Sequence, residues 1–276
     1  MKVKEIKHLM DLLGLLGPKK RFGQNFLLDE SALADIVKSA DLQKTDQVLE
    51  IGPGLGVLSL KLVNLVDKLV LVELDRDLAG FLNGQFIDND KVVLQQADAL
   101  ELDWEQFFAG PYKVVANIPY NITGLLFRKI SLLNHKPERL VLLVQKEVAE
   151  RLIAKPGDLS VLALIMQFFY KIKIARKVGR MAFYPAPKVD SAVILLERRF
   201  DYEEIWQKYK LDNQAFFQLI KIGFSAKRKK LSNNLASGYH QSVDWGKNLL
   251  LKAGLSENTR AEDLSMEDWL RIGAGL

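Results

Sequence analysis

From Val48 to Gln145 the chain alternates short, almost wholly apolar runs with segments whose apolar residues recur at three- and four-residue spacing. A strand covered on both faces loses the apolar–polar alternation of a half-exposed one, so this pattern predicts a parallel sheet with crossover helices. Strands are expected at Val48–Ile51, Leu69–Glu73, Val92–Gln95, Tyr112–Ala116 and Leu140–Val144, and helices at Gly56–Leu65, Arg76–Asn83, Thr123–Leu133 and Lys146–Ile153. Ahead of them Asp29–Ala40 reads as a helix whose acidic start complements the positive end of its dipole.

Beyond Pro156 the pattern predicts a helix at Leu159–Gln167 and two further strands, Val178–Arg180 and Ala192–Leu196, that complete the sheet. From Phe200 onward strand-like alternation stops. Amphipathic helices are expected at Glu203–Tyr209, Asn213–Ile222, Lys227–Ala236, Val243–Ala253 and Met266–Ile272. The expectation is an α/β domain over residues 1–199 and a smaller all-α domain over residues 200–276, with no internal repeat and no low-complexity segment.

Composition adds limits. A chain of 276 residues, 49% of them hydrophobic, can build one large core and a smaller one, and a net charge of +5 favours a polyanionic partner without requiring it. Cysteine is absent, which excludes disulfides, thiolate zinc sites and a Cys nucleophile, and His8, His135 and His240 lack ligand spacing. A metal site is therefore not expected. Met1–Met10 lacks the apolar core of a secretory signal, and the longest apolar run, Leu159–Tyr170, is too short for a bilayer, so a cytoplasmic protein without a membrane partner is expected.

The candidate chemistry sits at strand ends. Gly52, Gly54 and Gly56 follow a strand and open a helix, where backbone N–H groups can approach a ligand; a plain tight turn or a dinucleotide site would look the same. Glu73 ends the next strand and can accept two hydrogen bonds from a ribose diol, in NAD or S-adenosylmethionine alike, and Asp98 follows the third strand, where it can accept from an adenine amine. Asn117-Ile118-Pro119-Tyr120 ends the fourth strand. An Asn side-chain oxygen and the carbonyl before a proline can accept both protons of an exocyclic amine while Tyr120 stacks on the ring. These markers share one crevice, the usual ligand site of an open α/β sheet.

Those residues, together with Arg21-Phe22-Gly23-Gln24-Asn25-Phe26-Leu27, Phe183-Tyr184-Pro185-Ala186-Pro187-Lys188-Val189-Asp190-Ser191-Ala192-Val193 and Phe224–Leu235, resemble the KsgA/RsmA family of small-subunit ribosomal RNA adenine N6,N6-dimethyltransferases. The resemblance runs from about Arg21 to Leu235. It implies a Rossmann-like class I methyltransferase fold and binding of S-adenosylmethionine by Asn25, Leu27, Gly52, Glu73, Asp98 and Asn117. It also implies dimethylation of two adjacent adenines in a hairpin loop near the 3′ end of 16S rRNA, within the small subunit or its precursor, by a protein expected to be monomeric.

Adenine N6 is a poor nucleophile because its lone pair is delocalised into the ring. Acceptors aimed at its N–H groups favour the pyramidal amine of the transition state, a role expected of the Asn117 oxygen and the Ile118 carbonyl. Tyr120 is expected to stack on the extruded base, with Phe183 or Tyr184 on its other face. Basic runs at Lys19–Arg21, Lys171–Arg180 and Lys227–Lys230 favour phosphate contact, with Lys221, Lys227 and Arg228 as backbone-binding candidates. Three alternatives remain: a large-subunit (23S) rRNA adenine-N6 methyltransferase of the antibiotic-resistance type, which shares Ile118; a non-catalytic assembly factor; and an NAD-dependent oxidoreductase, for which no hydride-transfer acid is in evidence.

Overall fold

The computed structural model describes residues 3–12, 14, 17–226 and 228–276. The chain divides into two compact units, Met1–Ala149 with Ile172–Arg198, and Glu150–Lys171 with Arg199–Leu276. The segment Glu150–Lys171, which its sequence position assigns to the first domain, thus groups with the helices of the second.

The first unit begins with α1 (Val3–Leu12), β1 (Phe26–Leu27) and α2 (Glu30–Ala40). The Asp29 carboxylate caps α2 by accepting from the N–H groups of Ser31 and Ala32. The sheet then builds through β2 (Gln47–Ile51), α3 (Ser59–Leu62), β3 (Lys68–Glu73), α4 (Arg76–Phe86), β4 (Val92–Gln96), β5 (Lys113–Asn117), α5 (Thr123–Leu132) and β6 (Arg139–Gln145). After α6 (Lys146–Leu152) and α7 (Val161–Phe169), the chain returns as β7 (Tyr170–Val178), β8 (Phe183–Tyr184) and β9 (Ser191–Arg198).

Seven strands form one sheet in the order β4-β3-β2-β5-β6-β9-β7, parallel from β4 through β6, with β9 antiparallel to β6. The central strands are apolar on both faces because both are covered: Val48, Leu49, Val114, Val115 and Leu140–Val144 have no accessible surface. The mostly parallel sheet with crossover helices is the α/β architecture that the periodicity predicts.

Three elements differ from the sequence expectation. The helix expected from Gly56 contracts to Ser59–Leu62, because Gly56 takes φ +73°, a left-handed conformation that a right-handed helix cannot contain. The strand expected at Val178–Arg180 is instead Tyr170–Val178 and ends where Gly179 begins. Its residues alternate exposed and shielded, as befits the edge of the sheet.

The second unit continues with α8 (Tyr202–Tyr209), α9 (Asn213–Gly223), α10 (Leu231–Gly238), α11 (Val243–Lys252) and α12 (Met266–Ala274). Its core includes Phe168 stacked on Trp206 at 4.1 Å, and Phe224 stacked on Trp269 at 5.6 Å. The third difference lies here: α10 begins at Leu231, so Arg228–Lys230 precede the helix rather than open it. Among the described residues no helix is long and apolar enough to cross a membrane.

Candidate active site

β2 and β5 are neighbours, yet the chain leaves β2 for β3 on one side and β5 for β6 on the other. Crossovers that diverge in this way leave a crevice at the carboxyl ends of the strands. The turn after β2 and the Asn117–Tyr120 segment after β5 both line that crevice, together with Glu73, Asp98 and the strap Arg21–Phe26. The strand ends that the sequence analysis singled out are therefore brought to one cleft.

Glu73 organises its floor. Its Oε2 accepts from Gly54 N–H at 3.0 Å and its Oε1 from Asp75 N–H at 2.9 Å, so one carboxylate ties the glycine turn to the end of β3. Burial pushes its pKa up, opposed by those backbone donors. Glycine is favoured at position 54 on two counts: its φ is +61°, and a Cβ there would stand 3.1 Å from the Phe26 ring. Gly52, at φ +65°, has ordinary van der Waals space toward Pro119. Asp98 uses Oδ1 to accept from Leu100 N–H at 2.8 Å, and no donor among the described residues engages its other oxygen.

On the opposite wall, Asn117 donates its Nδ2 to the Asn25 carbonyl at 3.0 Å. That bond assigns the amide's orientation, and no donor among the described residues engages Asn117 Oδ1. No donor among the described residues engages the Ile118 carbonyl either, and the Pro119 carbonyl takes the N–H of Ile122. Two acceptors thus lie side by side at the end of β5. The Tyr120 hydroxyl bonds Ser191 Oγ at 2.6 Å, and Ser191 is fully buried at the start of β9. Burial raises the Tyr120 pKa against the opposing Ser191 bond, which keeps the ring neutral.

The strap across the cleft is clasped by Gln24 and by Lys19, which the sequence places in a phosphate-binding run but which turns inward to Asp75 and Asp77. Lys19 Nζ lies 2.6 Å from both Asp75 Oδ1 and Asp77 Oδ2, and Gln24 donates to Asp75 Oδ2 at 2.8 Å. Asp75 is buried; burial alone would raise its pKa, but these donors hold it below the usual carboxylate range, and the Lys19 pKa is raised in turn. Gly23, in the left-handed conformation, lies so close to Asn121 and Pro119 that a Cβ would meet Asn121 Oδ1 at 2.7 Å.

Two expected site residues do not line the cleft. Leu27 and Phe183 pair across a two-stranded ladder and are 5% and 3% exposed, with both side chains in a hydrophobic core cluster. Phe183 therefore offers no open ring face for stacking, because its apolar surface is consumed by packing. Tyr184 points elsewhere, with Lys7 Nζ 5.7 Å over its ring. Asn25, Gly52, Glu73, Asp98, Asn117 and Tyr120 do line it.

Beneath the glycine turn Glu50 is 1% exposed, and burial pushes its pKa up to about 8, with the Ser59 hydroxyl opposing and the Glu73 charge adding to the shift. Ser59 lies beside it, yet neither Glu50 Oε2 nor Ser59 Oγ meets hydrogen-bond geometry. Of the basic candidates, Lys221 and Arg228 are exposed on the second unit, and Lys227 lies outside the described residues. Buried Asn234 donates to the carbonyls of Gly223 and Ala226 and so fastens the turn that presents Arg228. In the Lys171–Arg180 run, Arg176 is taken up internally by Asp35 and Ser31.

A glycine turn tied to a buried carboxylate, facing unengaged acceptors and a tyrosine at the carboxyl ends of a mostly parallel sheet, gives the cleft of an α/β enzyme. The ribosomal RNA adenine dimethylase family model matches residues 17–274. This chain belongs to that family. It is 42% identical over 258 residues to the ribosomal RNA small subunit methyltransferase A of Syntrophotalea carbinolica, covering 92% of this chain and 95% of the relative. The protein of the same name from Nostoc punctiforme is 40% identical, covering 93% and 94%. Among solved structures, a 23S rRNA methyltransferase, ErmE, is similar with TM-score 0.70 at 25% identity, covering 91% of this chain and 99% of that one. A dimethyladenosine transferase from Plasmodium falciparum shares the fold with TM-score 0.76 at 24% identity, covering 90% and 95%.

Proposed function

We propose that the chain uses S-adenosylmethionine to dimethylate N6 of two adjacent adenines in a 3′-terminal hairpin loop of small-subunit (16S) ribosomal RNA. The observation that carries this reading is the pair of unengaged acceptors, Asn117 Oδ1 and the Ile118 carbonyl, in the same cleft as the Glu73-tied glycine turn. The small-subunit relatives at 40 to 42% identity favour this RNA over the large-subunit substrate of the more distant ErmE.

The cleft suits the cofactor. Glu73 keeps a lone pair on each oxygen for the ribose hydroxyls, Asp98 has a free oxygen for the adenine amine, and the left-handed glycines leave the wall bare of side chains. When bound, S-adenosylmethionine supplies an electrophilic methyl group on its sulfonium. The protein's own groups do the rest. Asn117 Oδ1 and the Ile118 carbonyl accept from the two N–H groups of the target amine and favour its pyramidal, positively polarised form, as fixed dipoles that need no reorganisation. Tyr120 gives the base a stacking surface worth about 1–3 kcal/mol, which offsets part of the cost of extrusion. No strong base is required, because a methylated, cationic amine releases its proton readily to water. Lys221, Lys227 and Arg228 hold the RNA backbone.

The test is methyl transfer to purified undermethylated small subunits, with modified positions mapped in the RNA. Methylation confined to large-subunit RNA would overturn the substrate. Replacing Asn117 by Ala should lower turnover by at least about 100-fold, the scale of removing one preorganised group at the reacting centre. Its stability should fall by only about 0.5–1.5 kcal/mol, the worth of the lost bond to the Asn25 carbonyl, so the variant stays folded. Normal turnover by that variant would remove the acceptor role.

A further inference from the structure

The strap from Lys19 to Asn25 commits nearly all its polar groups to the protein. Lys19 is held by Asp75 and Asp77, its N–H donates to Gln24 Oε1 at 2.7 Å, Gln24 Nε2 is held by Asp75, and Asn25 Nδ2 donates to the Gly23 carbonyl at 3.0 Å. The backbone closes a 3-10 turn through Phe22 N–H to the Lys19 carbonyl and Gly23 N–H to the Lys20 carbonyl, each at 3.0 Å. Against this rigid background two cations stand apart. Lys20 and Arg21 are exposed, and no acceptor among the described residues engages either.

Arg21 differs from an ordinary surface cation in two respects. Its guanidinium lies over the Phe22 ring, 4.6 Å from the centroid, which restricts the side chain and leaves its N–H edge free. It also lines the cleft that contains Asn117 and Tyr120, whereas Lys19 of the same basic run is turned inward to Asp75. An adenine drawn from its stack into that cleft remains attached to its sugar and phosphates, and these must lie at the mouth when the base lies inside. A planar, permanently charged fork on a rigid platform there matches a phosphate diester.

We propose that Arg21, assisted by Lys20, forms a phosphate clamp at the mouth of the cleft that grips the RNA backbone beside the extruded adenosine. This rests on the proposed function of the cleft and adds to it a subsite for the nucleotide's own phosphate. The clamp acts on binding of the RNA and on entry of the base; the cofactor wall is built from other groups.

The experiment compares wild type with Arg21→Gln and Arg21→Lys, using undermethylated small subunits as the RNA probe. Three quantities are read: Kd for the subunit as a function of salt, Kd for S-adenosylmethionine without RNA, and KM and kcat for methyl transfer. Arg21→Gln should weaken subunit binding about tenfold, as expected for loss of a charge-assisted contact. It should also flatten the plot of log Kd against log salt by about 0.7 to 0.9, one phosphate's worth of released counterion. KM should rise more than kcat falls, and cofactor affinity should stay within twofold. Arg21→Lys should restore the salt slope but only part of the affinity, since it keeps the charge and loses the fork.

An unchanged slope and affinity in Arg21→Gln, with wild type active, overturns the clamp. So does an equal loss of cofactor affinity, which would place Arg21 in the cofactor wall. Should Arg21→Gln fail to fold, full wild-type affinity and KM in Arg21→Lys would still contradict the role of the fork. Failure of wild type itself to methylate small subunits sinks the underlying reading instead, so the two failures are distinguishable.

Discussion

Replacing Glu73 by Gln isolates the charge at the floor of the cleft with almost no change of shape. In the native protein each carboxylate oxygen accepts one buried backbone N–H, from Gly54 at 3.0 Å and from Asp75 at 2.9 Å. Gln keeps only one acceptor oxygen, so one of these N–H groups must face an NH2, which costs about 1–3 kcal/mol for a buried donor left unpaired. The neutral amide also escapes the burial penalty that raises the Glu73 pKa, which offsets part of that loss. The net change in stability of the cofactor-free protein should therefore be small, below about 2 kcal/mol. Cofactor binding has no such offset. One ribose hydroxyl loses an ionised acceptor, worth about 1.5–3 kcal/mol, so the Kd for S-adenosylmethionine should rise by roughly 10- to 150-fold. Calorimetric titration with the cofactor and denaturant unfolding of the free protein read the two effects separately. An affinity within twofold of wild type would refute the ribose role, and a large loss of stability with unchanged affinity would make Glu73 a purely structural tie.

Two further predictions concern stability. Glu50 has a folded pKa of about 8, above its unfolded value, so the folded state holds the proton longer and wild type loses stability as pH rises from about 5 to about 8. In Glu50→Gln that dependence should be shallower by up to about 1.4 kcal/mol per pH unit, measured by unfolding across the range; parallel curves for the two proteins would contradict it. Gly223→Ala should destabilise by about 1–3 kcal/mol despite better helix propensity, because the new methyl would stand 2.3 Å from Trp269 Cη2 and 2.8 Å from Cζ3. An unshifted urea midpoint would show that the α9–α12 contact has slack.

The sheet was legible because its strands are buried on both faces, and uninterrupted runs such as Lys68–Glu73 and Arg139–Gln145 leave few other readings. The cleft followed from strand order, since any marker at the end of β2, β3, β4 or β5 opens on the same side. What escaped was mostly a matter of pairing across distance. Lys171-Ile172-Lys173-Ile174 alternates as an edge strand should, but its charge drew attention away from its period. The hold of Lys19 and Gln24 on Asp75 spans more than fifty residues, and the Tyr120–Ser191 bond spans 71, so neither has a local signature. Phe183 or Tyr184 is expected as the second stacking face opposite Tyr120, while a core role beside the turn at Pro185 and Pro187 fits the same residues. In a two-residue ladder nothing local tells which face meets the core, and there the core took the ring.

The second unit draws its helices from both sides of β7, β8 and β9, with Val161–Phe169 lying upstream of them in the chain. A polypeptide ending at Arg199 would keep Phe168 while losing Trp206 and Phe216, whose rings lie 4.1 and 5.2 Å from it. Such a fragment carries a sticky, half-dressed helix close to its carboxyl end. Deleting the tail as a cassette would uncover that ring, and during synthesis the helix meets its aromatic companions only after the last strands have emerged between them.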